Sequence, residues 1–498
     1  MLEATNAKTL TRWLNESAPG FLFIFVLSLA YAFPLLLDGR YYLDDLPHAI
    51  SGLTLWEQDG RPLASIVSSL VSFQLPSFTS PALIDISPLP QILGLVALSY
   101  SAARLARSLF NQPPDIWAVL VVFPIIASPF MLQNLSYKFD ALTMSLAIML
   151  AILAALPRDF SIRSITQTTG LLIAALCLYQ AALNVFMATT ALLCLAQPGT
   201  AKNLVSKNLL SLAIAILIYT LLIKLLGGIS DEYATAHSRL IPLNADGLQT
   251  ILFNFGFGNF FVMEAVADAP WLYGAGSIAL VLFIIKATRE GQGLPATALS
   301  ILAVLVLVAS IMGLLLVLAQ PVVRPRTLIA LSILLVAMGF AFNELVKEKS
   351  ALWKAPLIIA TAWYFVLAYG YADAARDQTR FEDYLASRII TDLYQAGFKP
   401  NDKLAFDGTE PRSPIAENSA RLKTVARILQ LDMNSNSEWG FRLLESLGLK
   451  STAITDATEP SLKALCTDPP IATASAYQLF KQQETYVISF ANGVCFKP

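Results

Sequence analysis

The sequence predicts an α-helical polytopic membrane protein, with about eleven transmembrane helices and a small C-terminal α/β soluble domain. Three observations carry this prediction. Only 14% of the 498 residues are charged while 56% are hydrophobic, whereas a soluble chain covers its surface with about 25% charged residues. Apolar runs of about 17–25 residues, enough to cross a bilayer, recur along the first three quarters of the chain. From Asp373 onward the composition turns polar: this tail of 126 residues holds 30 of the 69 Lys, Arg, Asp and Glu. The expected organisation is therefore a membrane domain over 1–372 and a soluble domain over 373–498.

Taken in order, the apolar runs place spans near 20–37, 84–103, 116–133, 140–156, 166–179, 182–197, 208–226, 271–286, 295–318, 327–345 and 355–372. Lys8 and Arg12 precede the first, and no small-residue cleavage site follows it, so the run reads as a span rather than a removable signal. The fifth and sixth share one apolar stretch broken only by Tyr179–Gln180. With the N-terminus cytoplasmic, thirteen Lys and Arg fall in or before inner loops and six in outer loops, the latter being Arg40, Arg61, Lys138, Arg239, Arg324 and Arg326. That asymmetry holds loop by loop and sets the orientation. An odd number of spans then puts the tail outside, which in a bacterium is the periplasm.

Two outer segments are long. In the first, Leu46, Ile50 and Leu53 share a helical face beside Trp56, as in a helix lying on the membrane surface. Pro62 starts a second such helix through Ile66, Leu70 and Val71. In the second, the aromatic run ILFNFGFGNFF is polar and Gly-broken, and reads as an interfacial or re-entrant helix rather than a span. Within the tail, RFEDYLASRIITDLYQAGF is helical, KLAFDG and ETYVISF are strand-like, and Gly397 and Gly448 follow helices. Cys466 and Cys495 can pair if the tail is extracytoplasmic. Cys177 and Cys194 lie in apolar runs as small hydrophobes.

A net charge of −1 gives no basis for a nucleic-acid partner. Two His and four Cys without a Cys-x-x-Cys pair leave little for a His/Cys metal site. No Walker loop, dinucleotide fingerprint or HExxH is present. What remains is a set of polar residues at the outer span ends. Asp44–Asp45 can supply a general base for a hydroxyl nucleophile, with the second acid orienting the acceptor or holding a divalent cation such as Mg or Mn; a solvated loop would also contain such a pair. Arg61, Lys138, Arg324 and Arg326 run against the topological bias and suit an anionic ligand, although snorkelling to headgroups gives Arg324 and Arg326 the same placement. Lys138 and Asp140 can instead pair with each other. His48 and His237 can shuttle protons or be structural. Tyr179–Gln180 is either a substrate contact or a turn.

The first span, the outer DD with W…GRPL, YKFDAL and LYQAALNVF together resemble the serotype-converting O-antigen glucosyltransferases over roughly residues 20–345. The resemblance implies a GT-C-like fold with its catalytic Asp in the first outer loop, here Asp44 or Asp45. It also implies a polyprenyl-phosphate sugar donor, glucose on undecaprenyl phosphate, and a lipid-linked O-antigen acceptor. Donor synthase and flippase proteins would be partners. His48 stands where family members more often carry Arg. The competing readings are a lipid-linked sugar flippase, which would want polar groups through the spans, and an O-antigen polymerase, which would want one very large outer loop.

Overall fold

The computed structural model describes residues 18–289, 293–435, 437–455 and 458–497; Lys8 and Arg12 lie outside them. The described chain is mostly helical and ends in a small sheet. Among the described residues, seven helices are long and apolar enough to cross a membrane: Pro19–Leu36, Leu89–Phe110, Pro198–Leu225, Ala245–Asp268, Pro270–Arg289, Pro295–Val317 and Ala351–Gln395. Other expected spans fall on shorter apolar helices, namely Ile116–Ala127, Asp140–Ala155, Ile162–Leu178, Ala182–Ala196 and Leu331–Leu345. Helices satisfy their own backbone polar groups, which lipid cannot.

The chain forms two compact units. The first comprises the described residues up to Leu37 and Leu53–Tyr369; the second comprises Asp38–Gly52 and the residues from Gly370 onward.

In the first unit, small residues let helices approach closely. A Cβ on Gly94 would lie 2.8 Å from Ser145 Oγ and 3.1 Å from the Ala141 carbonyl, so the Leu89–Phe110 and Asp140–Ala155 helices pack nearly backbone to backbone. The apolar stretch that breaks at Tyr179–Gln180 does so as two helices, Ile162–Leu178 and Ala182–Ala196. The run expected to be interfacial is instead one unbroken helix of 24 residues, Ala245–Asp268. Its polar and Gly positions have packing partners. Asn254 Nδ2 donates to the Leu318 carbonyl at 2.9 Å, and Gly258 lies against Met312.

In the second unit, five strands, β1 (Lys403–Asp407), β2 (Thr452–Ile454), β3 (Ala472–Thr473), β4 (Tyr477–Gln482) and β5 (Thr485–Phe490), form a sheet in the order β2-β1-β5-β4-β3. β1 runs parallel to β2 and β5, while β4 is antiparallel to β5 and β3. One face packs Leu404, Phe406, Tyr486 and Ile488 against Leu385, Ile389 and Leu393 of the Ala355–Gln395 helix. The other packs Ala405, Phe480 and Val487 against Leu462, and here Cys466 and Cys495 form a disulfide. Gly397, at φ +82°, and Gly448, at φ +95°, end their helices in the left-handed conformation, as a glycine C′ does.

The Asp38–Gly52 segment belongs to this unit through a buried charge cluster. Arg40 Nη2 donates to the Gln430 carbonyl at 2.7 Å and lies 3.4 Å from both Glu382 and Asp432. Burial opposes the Arg40 charge, but Glu382 and Asp432 more than restore it and hold its pKa above the ordinary value. One cation does not satisfy the acids around it. Burial raises Glu382 and Asp432, and burial with the Asp432 charge pushes Glu410 up to about 8 from 4.5. A carboxyl whose folded pKa lies above its unfolded one gives stability that is complete below the unfolded value and lost as pH rises through the folded value. The second unit is therefore expected to lose thermal stability between about pH 4.5 and 8, with Glu410→Gln flattening the decline. Unfolding temperatures measured across that range check it.

Candidate functional site

The expected site residues fall into two groups, one in each unit. In the first unit the chain turns at Trp56–Gly60, and Arg61 precedes the Pro62–Val71 helix, with Pro62 at its first turn. Arg61 is not an open anion ligand: Nη2 meets Asp59 at 2.7 Å and Nη1 meets Asp140 at 3.1 Å. Burial works against its charge, and Asp140 and Asp59 outweigh that and raise its pKa. Gln180 Nε2 donates to the Asp59 carbonyl at 3.0 Å, and Tyr219 Oη donates to the Gly60 carbonyl at 2.9 Å. Gln180 thus ties the notch between two helices to the GRPL turn. Lys138 is buried and lies 3.8 Å from Asp85.

Gly60 has φ +76°, and a Cβ there would stand 2.8 Å from Tyr219 Oη. Gly60→Ala is expected to lower the stability of the first unit by about 1–3 kcal/mol, and Tyr219→Phe in the same chain should recover part of the loss. Thermal unfolding of the single and double variants measures both.

The second feature of this group surrounds Arg326. Its backbone N–H donates to Gln133 Oε1 at 2.7 Å, and its carbonyl accepts from Tyr179 Oη at 2.8 Å. Its guanidinium lies over the Tyr137 ring, 5.2 Å from the centroid. A cation over an aromatic face is attracted by the ring quadrupole. Arg324, two residues earlier, is exposed and fits the headgroup reading. Gln133, Asn134, Tyr137, Asp59, Asp85 and Tyr219 are the residues that sequence reasoning missed. The polar Gln133–Asn134 pair inside an apolar run was the available signal.

In the second unit, Asp44, Asp45 and His48 stand on or beside the Asp45–Ser51 helix. This helix is seven residues long and packs on the Trp439–Ser446 helix; Leu46 is buried and Ile50 exposed, and Leu53, expected on the same helical face, lies beyond its end. Asp45 is wholly buried, and its Oδ2 accepts from the Tyr42 N–H at 2.9 Å, while its own N–H donates to the Tyr42 carbonyl at 3.2 Å. Asp45 therefore closes a turn. Asp44 is only half-buried. Between them and Tyr42, Leu43 is held at φ +50°, a left-handed conformation costing a non-glycine residue about 1–3 kcal/mol. His48 is buried. His237, in the first unit, is half-buried, and its Nδ1 lies 2.5 Å from the Gln320 carbonyl.

No group of three or more His, Cys, Asp or Glu suited to a metal ion occurs among the described residues. A divalent cation at Asp44 and Asp45 would need to complete its shell from water and substrate oxygens, as Mg does.

Comparison with known proteins bears on this arrangement. Residues 33–337 match the family described as Glucosyl transferase GtrII. The chain is also similar to an uncharacterized 55.3 kDa protein in the gtrB 5′ region of Salmonella phage P22, at 30% identity over 426 residues, which cover 81% of this chain and 85% of the phage protein. No solved structure matches.

Proposed function

Because the chain belongs to the GtrII glucosyl transferase family, we propose that it transfers glucose from undecaprenyl phosphate to a hydroxyl of a lipid-linked O-antigen, at the periplasmic face of the inner membrane. A GT-C-type arrangement, with its base in the first outer loop, accommodates that chemistry. The observation that carries the reading is the family match over residues 33–337, which includes the DD turn; there Asp45 is wholly buried against the Tyr42 N–H, while Asp44 is half-buried and reaches the surface.

Asp44 takes the proton of the acceptor hydroxyl as its oxygen attacks the anomeric carbon. The bond from that carbon to the phosphate oxygen breaks, its electron pair leaves with the lipid phosphate, and the configuration inverts. Charge accumulating on the phosphate calls for a preorganised cation. Among the cations of the first unit, Arg326, set over the Tyr137 ring and anchored at both backbone groups, suits contact with a lipid phosphate. Arg61, already matched by Asp59 and Asp140, holds the loop instead. Support for the outer placement comes from the Lys and Arg asymmetry and from the Cys466–Cys495 disulfide, a bond that persists in oxidising compartments.

The test is incubation of the purified protein in liposomes with labelled undecaprenyl-phosphate glucose and lipid-linked O-antigen, with and without EDTA. Label appearing in the glycan is the expected result, and EDTA sensitivity would assign a metal to the acids. Movement of labelled donor across the bilayer without a new glycosidic bond would overturn the reading in favour of a flippase.

A further inference from the structure

Arg40 stands four residues before Asp44 and is buried within the second unit. Its guanidinium reaches the Gln430 carbonyl, Glu382 and Asp432. Two residues on, Tyr42 Oη donates to the Ile428 carbonyl at 2.6 Å, and the Tyr42 N–H holds Asp45. Immediately before Asp44 comes Leu43 in the left-handed region, and after it the Asp45–Ser51 helix seated on Trp439–Ser446. The turn carrying the acids is thus gripped on both sides by the C-terminal domain, in a conformation the sequence Tyr-Leu-Asp-Asp does not favour by itself.

We propose that Arg40 is a positioning residue for Asp44: the C-terminal domain grips the Arg40–Tyr42 segment and so fixes the turn that presents the base. The domain is then part of the catalytic apparatus, and this role rests on the function proposed above. A buried charge cluster is a poor device for stability alone, since well-packed apolar residues often do as well or better. It is a good device for geometry, because a guanidinium has donors in a fixed plane. Misplacement of a reacting group by about 1 Å costs about 100-fold in rate, so the grip has a catalytic consequence.

The test uses the full chain in liposomes with the labelled donor and acceptor above, comparing wild type with Arg40→Met, Arg40→Lys and Tyr42→Phe. Arg40→Met is expected to lower kcat by about 100-fold, and Tyr42→Phe by about 10-fold, with KM unchanged. Arg40→Lys, which keeps the charge among the acids, should recover part of the loss. Hydrogen exchange is read in parallel: in Arg40→Met, amides 41–46 should exchange at least about 10-fold faster while β1 and β5 keep their protection. Should β1 and β5 loosen as well, Tyr42→Phe, which removes a single hydroxyl, decides. Unchanged exchange over 41–46, or unchanged kcat with a wild type that transfers glucose, would overturn the proposal. A wild type that transfers nothing would count against the functional reading, and the exchange measurement would then judge the grip by itself.

Discussion

Asp44→Asn is expected to lower glucose transfer by about 1,000-fold, within the range that general-base catalysis supplies, with the protein still inserted and monodisperse. The amide keeps the shape of the side chain and loses the ability to take a proton. Asp45→Asn should behave differently. Its carboxylate accepts the Tyr42 N–H, and an amide oxygen can still accept that bond, so a loss of about 10-fold, traceable to a loosened turn, is expected. The measurement is the single-turnover rate of each variant with saturating donor. If Asp45→Asn proved the inactive one and Asp44→Asn retained most activity, the assignment of the base would be reversed. If both variants were fully active, the first outer loop would not contain the base at all.

The second large effect is expected at Arg326. Removing one preorganised donor to a developing anion typically costs about 100–1,000-fold in kcat, and Arg326→Met should fall in that range. Arg326→Lys should recover little, because an ammonium lacks the guanidinium's fixed fork of donors for a phosphate. The position of Arg326 over the Tyr137 ring and its two backbone anchors distinguish it from Arg324, which is exposed. Arg324→Met should change kcat by less than about threefold, as fits a side chain among headgroups. Steady-state kinetics on the three variants settle the comparison, and an inactive Arg324→Met beside an active Arg326→Met would move the phosphate site two residues upstream.

Much of this architecture was legible in the residues. The first apolar run became Ala18–Leu36, the strand-like KLAFDG and ETYVISF became β1 and β5, and the polar notch at Tyr179–Gln180 broke its stretch into two helices. These features are local: hydropathy and turn chemistry over a dozen residues specify them. The Ala245–Asp268 helix differs from its expected reading because Gly and Asn lower local propensity, whereas the partners of Gly258 and Asn254, Met312 and Leu318, lie 54 and 64 residues away. Within the candidate site, the acids and cations were visible by type, but their pairings were not. Asp59 and Asp140 sharing Arg61 is a relation across 79 positions of sequence. Arg40 looked like one more outer cation, since its partner Glu382 is 342 residues distant. Charge is written in the sequence; which charge meets which is written only in the fold.

That long reach also sets an order of events during synthesis. The Asp38–Gly52 segment is made early, and the residues that grip it, Glu382, Ile428, Gln430 and Asp432, are made late. At a translation rate of about 5–20 residues per second, roughly 20–70 seconds separate the two. Throughout that interval Arg40 lacks Glu382 and Asp432, and Tyr42 Oη lacks the Ile428 carbonyl. On the proposed function, the Asp44 turn takes up its final geometry only after residues 382–432 have been made.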